Sequence, residues 1–458
     1  MVKDWQYNST TLGVLIRMAV PMIVSQGAFA LMIFTDRYFM AQISPTHMAA
    51  TLGGGISWYF TLSLFNGILS YAMAMTAQYL GAGDLHKCSR VITQGLLMSL
   101  ACIPVFLVLG GILKNMFAWM GHAPEQVVLE ETYYTIMTSF SVLMLIRTCL
   151  SCFFSGIGHT NVVMFCDVAG VLFNVPLTWA LVFGQFGLPA MGIAGAAWGS
   201  ILSMVFAIVL YLVFYLTPAN RKQFNIAHSL VFDRGITRRY IRLGFPSGME
   251  MFLNVAAFNL FILMFQSYGI AEAAAATIVF NWDILSFVPL LGLNIAVMSM
   301  IGRFVGARDM SKTNEVTTAG YILGLGYSLC LATLFIVLRE PLVEVFIFQE
   351  EQSEEIRELA RFMMIGLGVY AFIEGVLQVA TGVLRGAGDT QWVMRASVLL
   401  HWVMLVAEYF IIKVWNLGPR IAYLGFVVMV LAICLVFLIR LWGNKWRDPD
   451  RLDAVMAE

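Results

Sequence analysis

Six acidic residues interrupt stretches of chain that are otherwise apolar: Asp36, Asp167, Glu250, Asp283, Glu374 and Glu408. Basic residues at comparable places are fewer, Arg147 being the clearest. An ionisable side chain in a hydrocarbon setting is costly, so such residues pair, line water or serve an ion pathway. A carboxylate in low-dielectric surroundings resists ionisation; it can hold a proton near neutral pH and release it when substrate or opening changes its environment. The excess of acids over bases therefore points to cation handling. Two of the acids stand in polar stripes. Glu250 and Asn254 are one helical turn apart, as are Tyr370, Glu374 and Gln378 in succession, so each set shares a helix face. Asp283, in Asn281-Trp282-Asp283, is expected to complete the same group. Its structural alternative is an acid satisfied by a helix N-terminus or a tryptophan N–H.

The elements that carry these residues follow from composition. Of 458 residues, 60% are hydrophobic and 12% charged, about half the charged share of a soluble domain. A soluble globular enzyme is thereby excluded. The 27 basic and 27 acidic residues cancel, so no net field calls for nucleic acid or an acidic partner. The seven cysteines lack the spacing of a metal site or a disulfide framework and read as small core residues. A bilayer crossing takes about 20 apolar residues. Apolar runs lie near 12–40, 48–78, 91–115, 131–155, 162–184, 190–217, 240–267, 272–301, 316–338, 357–384, 392–413 and 419–441. The first continues well past a signal-peptide core, so it is expected to stay in the mature protein.

Alternate loops collect the positive charge: Lys87 and Arg90; Arg221, Lys222, Arg234, Arg238 and Arg239; Arg303, Arg308 and Lys312; Lys445, Arg447 and Arg451. The positive-inside rule makes that face cytoplasmic and puts both termini there, in a multi-pass plasma-membrane protein. The acidic loop with Glu340, Glu344, Glu350, Glu351, Glu354 and Glu355 falls on the opposite side.

The longest basic linker sits at mid-chain, and the halves on either side repeat. Ile16-Arg17-Met-Ala-Val-Pro21 aligns with Ile241-Arg242-Leu-Gly-Phe-Pro246, and Gly81-Ala-Gly-Asp84 with Gly306-Ala-Arg-Asp309, at one common offset. Ser155-Gly156-Ile-Gly158-His-Thr160 aligns with Arg385-Gly386-Ala-Gly388-Asp-Thr390 at an offset five residues longer. With an even number of helices per half, the repeats share one orientation and are expected to be related by an axis along the membrane normal, an arrangement that encloses a cavity in many transporters. The expected fold is an all-α polytopic membrane protein, with twelve transmembrane helices in two six-helix pseudo-symmetric lobes around a central cleft. The expected parts are an N-terminal lobe over 1–217, a cytoplasmic linker over 218–239, a C-terminal lobe over 240–441 and a cytoplasmic tail over 442–458.

The repeated residues also carry a resemblance. The Pro21 and Pro246 helices, Thr35-Asp36-Arg37-Tyr-Phe-Met, Ala77-Gln78-Tyr-Leu-Gly81-Ala-Gly, Asn174-Val-Pro-Leu with Gly192-Ile-Ala-Gly-Ala-Ala197, and Leu384-Arg385-Gly386-Ala-Gly388-Asp389-Thr390 resemble the multidrug and toxic compound extrusion (MATE) transporters over essentially the whole chain. The resemblance implies two lobes around a cleft that opens to each side in turn, and export of cationic or amphipathic drug-like compounds in exchange for protons or sodium ions. It implies that Glu374, one turn after Tyr370 and eleven residues before Arg385, contributes to the cation site. On the seventh run the sequence departs from the family pattern: the usual acidic position is Asn254, and Glu250 stands one turn earlier, where an amide is common. The charge moves about 6 Å along the helix. Asp36 matches a family acid that takes part in coupling, and Asn174 an amide near it. Thr178 stands where the family often has an acid, and its counterpart in the other half is Glu408. The expected cation-coupling residues are thus Glu374, Glu250, Asp36, Asp283, Tyr370 and Asn254, with Asn174, Thr178, Gln378 and Glu408 as polar residues of the cavity. Those coupling residues could also hold sodium; no other metal and no cofactor is expected.

Other features read as structure. Asp84, Asp309 and Asp389 sit in Gly-rich turns and read as helix caps. Gly386-Ala-Gly388 is too short to cradle phosphate. Cys149 and Cys152 lack partners for a metal, and His401 reads as a hydrogen-bonded interior histidine. The 28 Met and the many aromatic residues suit a re-packing, cation-attracting wall, although both also face lipid. The expected partners are small organic cations or amphiphiles and the lipid bilayer, with no nucleic acid, and the chain is expected to be monomeric. A lipid-linked oligosaccharide flippase of the same architecture is the alternative; it calls for basic residues in the cleft, where the spans supply acids. A membrane enzyme lacks a nucleophile with a base, and buried carboxylates in unequal lobes argue against a passive channel.

Overall fold

The computed structural model describes residues 8–119, 122–346 and 353–457. Glu350 and Glu351 of the acidic loop lie outside these. Among the described residues all regular structure is helical. The first half holds α1 (Ser9–Ile43), α2 (Pro45–Ser70), α3 (Ala72–Gly81), α4 (Leu85–Ala101), α5 (Ile103–Leu113), α6 (Met116–Trp119), α7 (Pro124–Ser139), α8 (Ser141–Gly156), α9 (Thr160–Phe183) and α10 (Ile193–Tyr215). The linker contains α11 (Pro218–Gln223) and a 3₁₀ turn at Ile226–His228. The second half holds α12 (Arg234–Gln266), α13 (Ile270–Gly306), α14 (Met310–Val337), α15 (Arg339–Glu344), α16 (Ser353–Gly386), α17 (Thr390–Tyr409), α18 (Pro419–Trp442) and, in the tail, α19 (Pro449–Met456).

Eleven stretches are long and apolar enough to cross a membrane, and the bent pair α7 and α8, meeting at 46°, makes a twelfth. They match the apolar runs of the sequence one for one. Their outer faces are apolar too: Leu107, Val108, Leu263, Leu399 and Val428 are all exposed, a surface suited to lipid rather than water.

The repeat is visible in the backbone. Gly83, Gly158 and Gly388 are left-handed, with φ of 81°, 84° and 84°, and Arg308, the counterpart of Gly83, takes φ 57° despite its side chain. A turn that only glycine adopts without cost is thus preserved where glycine is absent. The aspartates that follow have different roles. Asp309 caps α14, accepting from the Lys312 N–H at 3.1 Å, whereas the Asp84 carboxylate sits 3.4 Å from Lys87. Asp389 corrects the reading as a cap: fully buried, it is held by the guanidinium groups of Arg440, at 2.8 Å, and Arg451. A charge with no exposure needs a counter-charge more than a helix needs a cap. The cysteine reading also needs correcting in part. Five of the seven are buried, but Cys330, on α14, is exposed and Cys102, at the break between α4 and α5, is intermediate.

By packing, the chain forms two compact units. One comprises Met1–Ile23, Glu250–Val305 and Asp309–Met456; the other comprises Val24–Met249, Gly306–Arg308 and the last two residues. The divisions in α1 and α12 fall just after the repeat-related Pro21 and Pro246, which lie inside their helices and remove a backbone donor there.

In the first unit, α16 packs between α14 and α18, and α17 lies on α18. One core gathers Phe261, Phe265, Phe280, Met363, Leu367 and Phe426; another gathers Leu15, Ala19, Val297, Ile301, Val383 and Phe437. The α14–α16 contact is backbone to backbone. A Cβ on Gly375 would lie 2.7 Å from the Gly324 carbonyl oxygen, the close approach that small residues permit between membrane helices. Gly375→Val should cost about 1–3 kcal/mol by overpacking. A lowered thermal midpoint in detergent checks this, with Gly326→Val as control, since a Cβ at Gly326 meets nothing within 4 Å. The second unit is built on α2 against α7, α3 with α4 and α8, and α9 against α10; its fully buried large side chains include Tyr134, Phe153, Phe154 and Tyr211.

Candidate functional site

In the first unit, α13 and α16 bring three of the expected residues together. The Tyr370 hydroxyl lies against the Asp283 carboxyl group, and Glu374 interacts with both Asp283 and Tyr370. Packing sets this geometry. The Tyr370 ring stands edge-on to Phe426 of α18 at 5.6 Å, and Phe426 is itself stacked on Phe261 of α12 at 4.8 Å. Tyr423 of α18 is fixed by donating its hydroxyl to the Met363 carbonyl at 2.8 Å. Gly375, just after Glu374, lets α16 sit close to α14, whose Tyr327 interacts with Glu374. Asp283 Oδ1, Glu374 Oε2 and the Tyr370 hydroxyl are buried without a well-formed hydrogen bond. Neither carboxylate has an ion-pair partner among the described residues. Two neighbouring carboxylates and a phenol, with no cation of the protein's own, can take up a proton or a monovalent cation.

The other stripe is engaged differently. Glu250, almost fully buried, is ion-paired to Arg385 Nη2 at 2.9 Å. Asn254 donates its amide to Ser397 Oγ at 2.7 Å, leaving Asn254 Oδ1 buried and unpartnered among the described residues. His401 of α17 lies 2.7 Å from the Ser397 carbonyl oxygen through Nδ1, so that nitrogen carries the proton, the hydrogen-bonded role expected of it. Gln378 contributes its main-chain carbonyl, which accepts from the Asn294 amide at 2.7 Å. Glu408 stands apart from these groups, near the end of α17.

In the second unit a separate polar group forms where α9 and α10 touch. The small-residue stretch Gly192–Gly199 allows this: a Cβ on Gly195 would lie 2.7 Å from the Leu181 carbonyl oxygen, and one on Gly199 would strike Thr178. Ser200, next on α10, donates to Asp36 Oδ2 of α1 at 2.7 Å. Asp36 Oδ1, both amide atoms of Asn174 and the Thr178 hydroxyl are buried without a hydrogen-bond partner among the described residues. Buried polar atoms are normally satisfied, and an orphaned carboxylate oxygen such as Asp36 Oδ1 suits a proton, a water or a small cation. Arg37 makes no ion pair with Asp36 among the described residues.

Asp167, of the same sequence type, is fully engaged. Arg147 lies 2.7 Å from its Oδ1, Tyr211 donates to it at 2.8 Å, and Ser25 donates to Oδ2. Ser200 and Ser397 were not read from the sequence as parts of these groups; a carboxylate–arginine pair was the structural alternative for Glu250 and Glu374, and Glu250 forms one with Arg385. The one signal for Ser200 was its place directly after the small-residue stretch.

The family model described as MatE matches residues 21–180 and 246–410, once in each half of the chain. The multidrug resistance protein NorM of Vibrio cholerae is 27% identical over 456 residues, covering 96% of this chain and 97% of its own. The multidrug resistance protein PmpM of Pseudomonas aeruginosa is 26% identical over 461 residues, covering 97% and 94%. Among solved structures, a MOP superfamily transporter from Pyrococcus furiosus matches with a TM-score of 0.86 at 19% identity, covering 98% of this chain and 97% of that one; at that identity the likeness speaks for the fold. With the family's sequence signature in both halves, the chain belongs to the multidrug and toxic compound extrusion (MATE) family.

Proposed function

We propose that this protein is a secondary antiporter that exports cationic or amphipathic drug-like compounds in exchange for protons or sodium ions by alternating access. The observation that carries the reading is the Asp283–Glu374–Tyr370 group, in which two half-buried carboxyl groups meet with no ion-pair partner among the described residues. Such a group binds a coupling ion or a cationic substrate by charge. A ligand moves a conformational equilibrium only through unequal affinity for its states, so the two cations compete when each favours a different state. The relatives' names, multidrug resistance proteins, support the substrate class. Loop charge supports cytoplasmic termini, and one chain is taken as the working unit.

The Asp36 group is proposed as a second ion-responsive site. Asp36→Asn should abolish its response. Ser200→Ala removes one hydrogen bond to a carboxylate, worth about 1.5–3 kcal/mol, and should shift the half-saturating ion concentration by roughly ten-fold or more. Ion titration of efflux in reconstituted vesicles checks both, and an unchanged titration with Asp36→Asn rejects the site. The function itself is tested by loading vesicles with a fluorescent organic cation and imposing a pH gradient alone, then a sodium gradient alone. Uphill movement under either gradient is the expected result; none under both overturns the proposal.

A further inference from the structure

Glu408 belongs to neither polar group. It is wholly buried near the end of α17, and both carboxyl oxygens lack a hydrogen-bond partner among the described residues. The wall opposite is Gly425 of α18, where a Cβ would lie 2.5 Å from Glu408 Oε1 and 3.2 Å from Ile411 Cδ1. The missing side chain at Gly425 therefore makes the space that the carboxyl group occupies. Directly after it the helix widens into a π-helical turn, Phe410–Val414, a local irregularity that is frequent at functional sites.

The charged and titratable groups around it are committed elsewhere. Lys413 of the π turn donates to Ser267 at 2.6 Å, and Arg420 of α18 pairs with Glu358 of α16. His401, earlier on α17, is bonded to the Ser397 carbonyl, and Tyr423 of α18 to the Met363 carbonyl. Tyr268, between α12 and α13, interacts with Glu408 but donates its hydroxyl to the Leu417 carbonyl. Glu272 of α13 interacts with Tyr268. On α16, Glu374 is occupied with Asp283.

An ionised carboxylate in such a place would carry a solvation penalty of several kcal/mol with nothing to repay it. A hard metal cation gathers about six or more oxygen ligands, and one carboxyl group without a second free oxygen donor does not supply them. The cation that fits is a proton. We propose that Glu408 is a proton-binding site of the first unit, separate from the Asp283–Glu374–Tyr370 group, with Gly425 as the residue that makes room for it. Proton uptake turns the carboxylate into a neutral acid, and release returns the proton to water when the surroundings of α17 and α18 open.

The site's part in transport rests on the antiporter reading, but its occupancy does not. Infrared difference spectra of the purified full-length protein, recorded across a pH series, read protonated carboxyl groups directly. The expected result is a protonated-carboxyl band that is absent in Glu408→Gln and displaced in Gly425→Ala, where Glu408 remains but its space is filled. In vesicles, Glu408→Gln should remove one titrating group from the pH profile of exchange. Infrared bands in Glu408→Gln identical to those of the unmodified protein overturn the site, whatever the efflux assays show for Glu374. A band that vanishes in Glu408→Gln while neither gradient drives efflux supports the proton site and rejects the antiporter reading alone.

Discussion

Glu374→Gln should abolish ion-driven efflux of an organic cation from reconstituted vesicles while leaving the amount of folded protein unchanged. Glutamine keeps the size of the side chain and its ability to hydrogen-bond, so the packing of α16 against α14 and α18 survives. What it removes is the charge beside Asp283. A cation held between two carboxyl groups is held chiefly by that charge, and one neutral amide breaks the pair. Asp283→Asn should therefore do nearly the same damage, and the double variant should be little worse than either single one, because the residues act as a unit. Tyr370→Phe is the milder change: it keeps the ring against Phe426 and removes only the hydroxyl beside Asp283. A loss of roughly ten-fold or more in coupled rate, about 1.4 kcal/mol in the barrier, is the smallest effect that fits the assignment. Unchanged exchange with Glu374→Gln rejects it.

Much of this site was legible in the sequence, and the reason is physical. Twelve long apolar runs have one economical structure in a bilayer, since only helices satisfy the backbone there, and the helices found follow those runs closely. An acid inside such a run is conspicuous because it is costly. The stripe Tyr370, Glu374 and Gln378 needed only the helical period to be placed on one face. Partner choice was not legible. Glu250 and Glu374 look alike in sequence, yet Arg385 reaches the first and, among the described residues, no cation pairs with the second. The Ser200 contact with Asp36 joins α10 to α1, residues far apart in the chain that no local pattern pairs. Glu408 was noted as a polar residue, but its isolation and the space left by Gly425 appear only when α17 and α18 are packed. The aspartates of the Gly-rich turns carry the same lesson. Asp309 caps a helix, its repeat counterpart Asp84 lies beside Lys87, and Asp389, which aligns with His159, is locked by Arg440 and Arg451.

Arg147→Ala should destabilise the protein by about 3–5 kcal/mol, the cost of leaving a buried charge unpaired. Asp167 is nearly inaccessible, and Arg147 supplies its only positive partner among the described residues. Tyr211 and Ser25 would still donate to the carboxylate, but neutral hydroxyls compensate a charge only in part. The guanidinium also lies 5.7 Å from the centre of the Phe29 ring, so truncation loses a packed face as well as a charge. The measurement is thermal unfolding in detergent, where the midpoint should fall by several degrees. Arg147→Met with Asp167→Leu should recover most of the loss, since a buried ion pair can be replaced by apolar side chains of similar volume at little cost. That pair of results would separate Asp167 from Glu374 by experiment. For Glu374, replacement costs coupling and spares the fold; for Asp167, breaking the pair costs the fold, and the apolar replacement should retain ion-driven efflux. Efflux lost in the apolar double variant while the thermal midpoint recovers would move Asp167 from the scaffold into the transport pathway.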